Sequence, residues 1–494
     1  TMNLITGDWL PVIFNNEVTR LVGLKELFEK SDEITDLVLN PPQRISIMRL
    51  LTCIAQTALD GPVNEEAWMK CKTEIVQKSL EYLKTRTDKF NLYGEKPFLQ
   101  IEGATSDSKA NIDKLDGCVP SGNNPVLNDH EAVPEGRSRS DAWKAINLLT
   151  FLNFSTGGKI GQVNLNGEKY SDSTYAAPCI GSAHTFIRGT NLLETIFFNL
   201  LTKAEVNQLP NGKWGMPVWD KFPETANAQN SLDNASKTYL GRLVPLSRFM
   251  LIDSNIENTA CVIGPTSKNI KFEGIPAFRE PSNTILLNKK NESYSMKVSS
   301  DRHIWRDLGS LLAMSNSNQQ GGAVVLNKIN RLCSSLHKSN IDIWVGGLEL
   351  GDQAAKLHDL VEYNFSLPVS LFGEVCLKKY QEGVSLANEG SNTLKSAAKK
   401  YCDELKMESS GSISSMAGLV FWQKLDHSYR VLIDTANDEA KSLDNEWRDK
   451  VNLAMKEAYQ YACPCETPRQ IQAFVNGKRF LNIITDNKNK EGGN

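Results

Sequence analysis

The sequence predicts a mixed α/β globular domain followed by an all-α four-helix bundle, and three observations carry that prediction. Short β-like apolar runs alternate with turns and helical stretches through the first part of the chain. Strand signals stop near residue 368. Beyond it, four apolar stripes recur at helical spacing, separated by short polar connections, as in a helical bundle. The expected division is therefore 1–367 for the mixed α/β domain and 368–494 for the bundle, with a polar, disordered tail from Asp486.

Asp8-Trp9-Leu10-Pro11-Val12 reads as a short strand that its proline ends. Asn40-Pro41-Pro42 opens a helix: the asparagine can cap it, the prolines fit its first turn, and Met48, Leu51, Ile54, Ala55 and Ala58 share one face. From about 100 to 140 the texture turns to Gly, Asn, Ser, Asp and Pro without periodicity, and a second polar loop covers roughly 155–182. Loops this long inside a folded chain usually carry function. Ala260-Cys261-Val262-Ile263, Thr284-Ile285-Leu286-Leu287 and Ile341-Asp342-Ile343-Trp344-Val345 read as strands, the last running into a Gly-rich turn with Gln353 near its tip. The four C-terminal stripes are Leu394/Ala398/Tyr401/Leu405, Leu425/Tyr429/Leu432/Ile433, Leu443/Trp447/Val451/Ala454/Ala458, and Ile471/Phe474/Val475/Leu481, the last after a Thr467-Pro468 helix start.

Composition narrows the function classes. Fifty-five basic against 58 acidic side chains in 494 residues leave a net charge of −3, which argues against gripping nucleic acid by bulk charge alone. The 23% charged and 40% hydrophobic content is that of a globular chain, and the length suggests about two to four domains. Ten cysteines without a CxxC spacing fit reduced, mostly buried thiols better than a zinc site. No apolar run is long enough to span a membrane and the N-terminus lacks an export pattern, so a cytoplasmic location and no membrane partner are expected.

Catalytic motifs are scarce. There is no GxxxxGK followed by Ser or Thr and no GxSxG. His130-Glu131 begins like HExxH, but Pro134 stands where the second histidine belongs. His358-Asp359 resembles the His-Asp dyad of metal phosphohydrolases, yet six histidines in all leave few further ligands, and an exposed helical pair is the simpler reading. What remains are loops: Ser155-Thr156-Gly157-Gly158-Lys159-Ile160-Gly161, whose glycines permit close backbone approach to a phosphate or base edge, and Thr266-Ser267-Lys268-Asn269, a turn bearing a lysine.

Five segments in register resemble one family: Asn3-Leu4-Ile5-Thr6-Gly7-Asp8-Trp9-Leu10-Pro11-Val12; Lys96-Pro97-Phe98-Leu99-Gln100; Thr185-Phe186-Ile187-Arg188-Gly189 running into Leu192-Leu193-Glu194-Thr195 and Asn199-Leu200-Leu201; Val345-Gly346-Gly347 with Gln353-Ala354; and the terminal helices. Together they resemble the large subunit of the type I-E CRISPR surveillance complex, Cascade (the CasA family). The resemblance implies a non-enzymatic antiviral-defence role without cofactor or metal. Such a subunit recognises the protospacer-adjacent motif (PAM) of double-stranded DNA in the minor groove, promotes duplex opening and R-loop formation, and docks the helicase-nuclease, while guide pairing reads sequence. It implies that Asp352, Gln353 and Ala354 form a wedge under the motif. Gly157, Gly158, Lys159 and Gly161 fall on the family's glycine loop, from which this chain departs at Lys159 and Ile160. Lys268, with Lys271 as rival, matches the groove lysine. Leu127 and Asn128, beside Ser121-Gly122-Asn123-Asn124, fall on the loop that meets the 5′ end of the guide RNA (crRNA) and anchors the subunit among the other Cascade subunits. The rival readings are a metal-dependent hydrolase built on His358 and Asp359, and an adaptor that binds only protein.

Overall fold

The structure is a computed structural model and describes residues 2–107, 109–116, 139–159, 161–224, 228–252, 260–265, 270–312, 321–351, 357–444 and 446–482. Leu127, Asn128, Lys268, Asp352, Gln353, Ala354 and the tail from Asp486 lie outside them. The chain is mixed α/β with much helix. It divides into a unit of residues 1–302, 314–336 and 341–366, and a second of 303–313, 337–340 and 367–494.

In the first unit, the strand Leu10–Phe14 is the centre of a three-stranded sheet, between Thr19–Val22 and Ile34–Leu37. Pro11 does not end this strand but lies within it. Its carbonyl accepts from Val38 N–H, and the pairing on that side starts only at Val12↔Leu37, so the missing proline N–H falls where the ladder needs no donor. The helix Pro41–Leu59 starts as expected: Asn40 and Gln43 form a reciprocal cap behind the two prolines. Its burial exceeds the single face read from the sequence, because Ile45, Ile47, Arg49 and Leu50 are sealed as well.

Two further sheets carry the loops of interest. The strand Asn340–Leu350 pairs antiparallel with His184–Arg188, from Asp342↔Arg188 to Gly346↔His184, and on its other edge with Leu357–Pro368. Only residues 351–356 join the two long strands; a parallel crossover needs about a dozen residues or more, so they form a hairpin. Gly346 and Gly347, expected in a turn, lie inside the first of these strands. A Cβ on Gly346 would stand 2.6 Å from the Trp344 ring and 2.8 Å from Val361 O, and one on Gly347 2.7 Å from Ser182 O. Both glycines therefore permit close packing rather than turning. In the other sheet, Ala260–Pro265 runs between Ala110–Asn111 and Arg248–Ile252, with Arg248 opposite Pro265.

The second unit carries five helices after Pro368 among its described residues, rather than four: Glu374–Glu404, Gly411–Asp426, Tyr429–Asn437, Glu446–Ala462 and Pro468–Lys478. The second expected stripe crosses a break at His427-Ser428, which places Leu425 on one helix and Tyr429, Leu432 and Ile433 on the next. The long first helix admits close neighbours at its glycines, and Trp447 donates from Nε1 to Gly383 O at 2.9 Å. Trp305 is fully buried in this unit, donating to Asp426 (2.8 Å), stacked on Tyr429 and edge-on to Trp447. Among the described residues no helix is long and apolar enough to cross a membrane.

Candidate nucleic-acid interface

The glycine loop leaves the end of a helix that the sequence reading did not find. Asp141–Phe154 starts at Ser140, whose Oγ accepts Trp143 N–H at 3.1 Å, and its end is pinned by Ser247, which donates from Oγ to Leu152 O at 2.8 Å. The following residues run beside 174–179 as an irregular two-stranded ribbon. Cys179 N donates to Asn153 O (3.1 Å), Ala177 N to Ser155 O (2.9 Å), and Gly158 and Thr174 exchange both backbone bonds at 2.9 and 3.1 Å.

The loop's glycines divide by role. Gly157 is pressed to the ribbon: a Cβ there would lie 3.2 Å from Ala176 N. Gly158 has φ +106°, and a Cβ would meet nothing within 4 Å, so it faces open space in a conformation that side chains resist. Gly161, at φ +81°, lies against Ile263 O, 3.2 Å from a notional Cβ. Lys159 is exposed. Beneath the loop sits Arg248, fully buried, its guanidinium donating to Tyr175 O (3.2 Å), Ser247 O (2.8 Å) and Thr156 O. Burial brings its pKa down to about 10, which still leaves it a cation at neutral pH.

The structure brings several of the sequence-read residues together. Ile263 belongs to the strand Ala260–Pro265, which in sequence immediately precedes the segment with Lys268, outside the described residues. Lys271, the rival lysine, returns to the same loop: its Nζ lies 4.9 Å from the Tyr175 ring centre and 3.2 Å from Glu273 Oε1. The hairpin meets the far end of the ribbon, where Gly347 packs on Ser182 and Leu350 on Gly181. Near its end, Glu349 accepts from Ser299 Oγ (3.1 Å) and from Ser300 N and Oγ (3.1 and 2.7 Å), tying the first strand to the 299–300 segment. His184, paired opposite Gly346, is fully buried between Ser282 Oγ and Cys179 O, each 2.9 Å away. Burial lowers its pKa to about 4, so it is neutral and structural.

His358 and Asp359 belong to the strand Leu357–Pro368, not to a helix. The Asp359 carboxylate accepts from Leu360 N–H at 2.8 Å. Among the described residues no group of three or more His, Cys, Asp or Glu side chains is gathered as a metal would need. Sequence reasoning missed Arg248 and Tyr175. The available signal was an arginine standing inside the apolar run Leu246-Ser247-Arg248-Phe249-Met250-Leu251.

A family model for the CRISPR-associated protein Cse1 matches residues 3–458. The chain belongs to the Cse1 (CasA) family. One curated relative, CRISPR-associated protein CasA/Cse1 of Thermus thermophilus, is 25% identical over 493 residues, covering 93% of this chain and 91% of its own. Among solved structures, Thermobifida fusca Cse1 superposes with a TM-score of 0.80 at 19% identity, over 98% of each chain. A chain of a CRISPR RNA-guided surveillance complex superposes with a TM-score of 0.75 at 15% identity, over 97% of this chain and 99% of that one. The Cse1 fold thus extends over both units.

Proposed function

We propose that this Cse1-family chain is the large subunit of a CRISPR RNA-guided surveillance complex and reads the PAM of double-stranded DNA from the minor groove. In this reading Gly157, Gly158, Lys159 and Gly161 bring backbone to the groove while Lys268 supplies charge. Asp352, Gln353 and Ala354 enter the duplex as a wedge and start R-loop formation. Leu127 and Asn128 hold the guide RNA 5′ end, and the helicase-nuclease docks on the assembled subunit. The chain performs no chemistry of its own.

The observation that carries the reading is the long hairpin of Asn340–Leu350 and Leu357–Pro368, whose connecting residues contain Gln353 and whose first strand, just before that connection, meets Gly181 and Ser182 beyond the glycine-loop ribbon through Leu350 and Gly347. Two long paired strands joined by a short connection suit insertion between base steps, which costs roughly a few kcal/mol per step and needs compensating contacts nearby. The balanced charge of the chain fits a subunit that neighbouring proteins and the guide hold at its target. The test uses a guide-loaded complex reconstituted with Gly158→Val or Gln353→Ala. A Cβ at 158 would meet no protein atom, but at φ +106° any side chain is strained, so valine both occupies the open side of the loop and perturbs its backbone. Each variant is expected to lower affinity for a motif-bearing duplex by about tenfold or more, in the range of one lost specific contact. Wild-type affinity in both would sink the reading.

A further inference from the structure

We infer that Arg248 is the positioning residue of the glycine loop: its buried guanidinium clamps the two sides of the ribbon and places beneath them a positive charge that a nucleic-acid backbone completes. The inference rests on the DNA-binding reading above and adds to it a residue that never touches the ligand.

The lack of a carboxylate partner sets Arg248 apart from the other buried arginines of its unit. Arg49 and Arg242 share the carboxylate of Glu280 at 2.8 and 2.6 Å. Arg248 has no carboxylate partner among the described residues, and its Nε has no hydrogen-bond partner. Its other two nitrogens reach the carbonyls of Thr156 and Tyr175, one on each side of the ribbon, immediately before Gly157 and immediately after Thr174. The Gly158–Thr174 backbone pair thus rests on this clamp. Holding an uncompensated cation in a sealed site is costly, and a neutral side chain would avoid that cost. The carbonyls of Thr156, Tyr175 and Ser247 that accept from it offset part of that cost. The remaining charge lies behind the exposed Gly157, where an approaching phosphate backbone would feel it.

The experiment compares wild type with Arg248→Met, Arg248→Lys and Gly158→Val, each in the full chain. Hydrogen exchange reports the Gly158 and Thr174 amides, and titration of the reconstituted guide-loaded complex with a labelled target duplex reports binding across a salt series. Arg248→Met is expected to accelerate exchange at both amides while leaving helix Pro41–Leu59 unchanged, and to weaken binding by about tenfold. Arg248→Lys, which keeps the charge but cannot fork to two carbonyls, is expected to recover part of both effects. The slope of log affinity against log salt is expected to change by much less than the roughly 0.9 of one phosphate contact, because the sealed guanidinium acts from behind the loop and pairs with no phosphate. A slope reduced by about 0.9 would mean a direct phosphate contact and would overturn the positioning role. Unchanged loop exchange in Arg248→Met would overturn it too. If Gly158→Val binds weakly while Arg248→Met binds normally, the clamp is refuted and the loop reading survives. If neither variant affects binding, the loop reading itself fails and this inference with it. Should Arg248→Met not fold, the Arg248→Lys arm decides: wild-type binding with accelerated loop exchange would refute the clamp.

Discussion

Replacing Glu280 by glutamine tests how the first unit is held together. The carboxylate is buried, with 5% of its side chain exposed, and takes Arg49 Nη2 at 2.8 Å and Arg242 Nη2 at 2.6 Å. Arg49 also donates to Leu243 O (3.1 Å) and Arg242 O (2.6 Å), so the cluster ties the central helix Pro41–Leu59 to the segment leading into Arg248. Burial alone would raise the Glu280 pKa, but the two guanidiniums outweigh it and hold the group down to about 2. Against an unfolded value near 4.3, that depression corresponds to roughly 3 kcal/mol of stability. Breaking a buried ion pair on one side costs about 3–5 kcal/mol, so both routes give the same scale. The sign follows from the depressed value: the contribution is full above about pH 4.3 and is lost as pH falls toward 2. Hydrogen exchange of the Pro41–Leu59 amides should therefore show Glu280→Gln lower in opening free energy by about 3 kcal/mol at neutral pH, with the gap to wild type closing through that acidic window. A loss below about 1 kcal/mol, or a gap independent of pH, would refute the reasoning.

Two further outcomes concern stability. Gly383→Ala should destabilise the helical unit by roughly 1–3 kcal/mol, against the usual gain of alanine in a helix, because its Cβ would stand 2.1 Å from Leu432 Cδ1. Gly418→Ala, on a helix with nothing within 4 Å, should instead raise stability by about 0.5–1 kcal/mol, and thermal unfolding of the two variants separates them. His184, with its pKa lowered to about 4 by burial, contributes stability that is full above about pH 6.5 and lost as pH falls through 4. Protection of the His184–Arg188 amides, corrected for the intrinsic exchange rate, should fall across that window in wild type and less steeply in His184→Gln.

Local chemistry was legible in the sequence and long-range packing was not. Asn40-Pro41-Pro42 and Thr467-Pro468 announced helices because capping depends on residues three apart, and both caps form. Asp141–Phe154 escaped notice because it is buried nearly all round, which removes the helical stripe that periodicity detects. Gly346 and Gly347 read as a turn because their reason lies elsewhere in the chain, in Val361 O and Ser182 O. The recruitment of Trp305 into the helical unit likewise depends on Asp426 and Trp447, more than a hundred residues away. At the candidate interface, glycine spacing marked the loop, but the open side of Gly158 and the clamp at Arg248 follow from tertiary neighbours that no local pattern encodes.

The most direct measurement is target binding by a guide-loaded complex reconstituted with and without this chain, on two duplexes that differ only in the motif flanking the target. High-affinity binding to the motif-bearing duplex that requires the chain, and that is lost on the other duplex, is the predicted result. Equal affinity and equal motif preference with and without the chain would contradict the account.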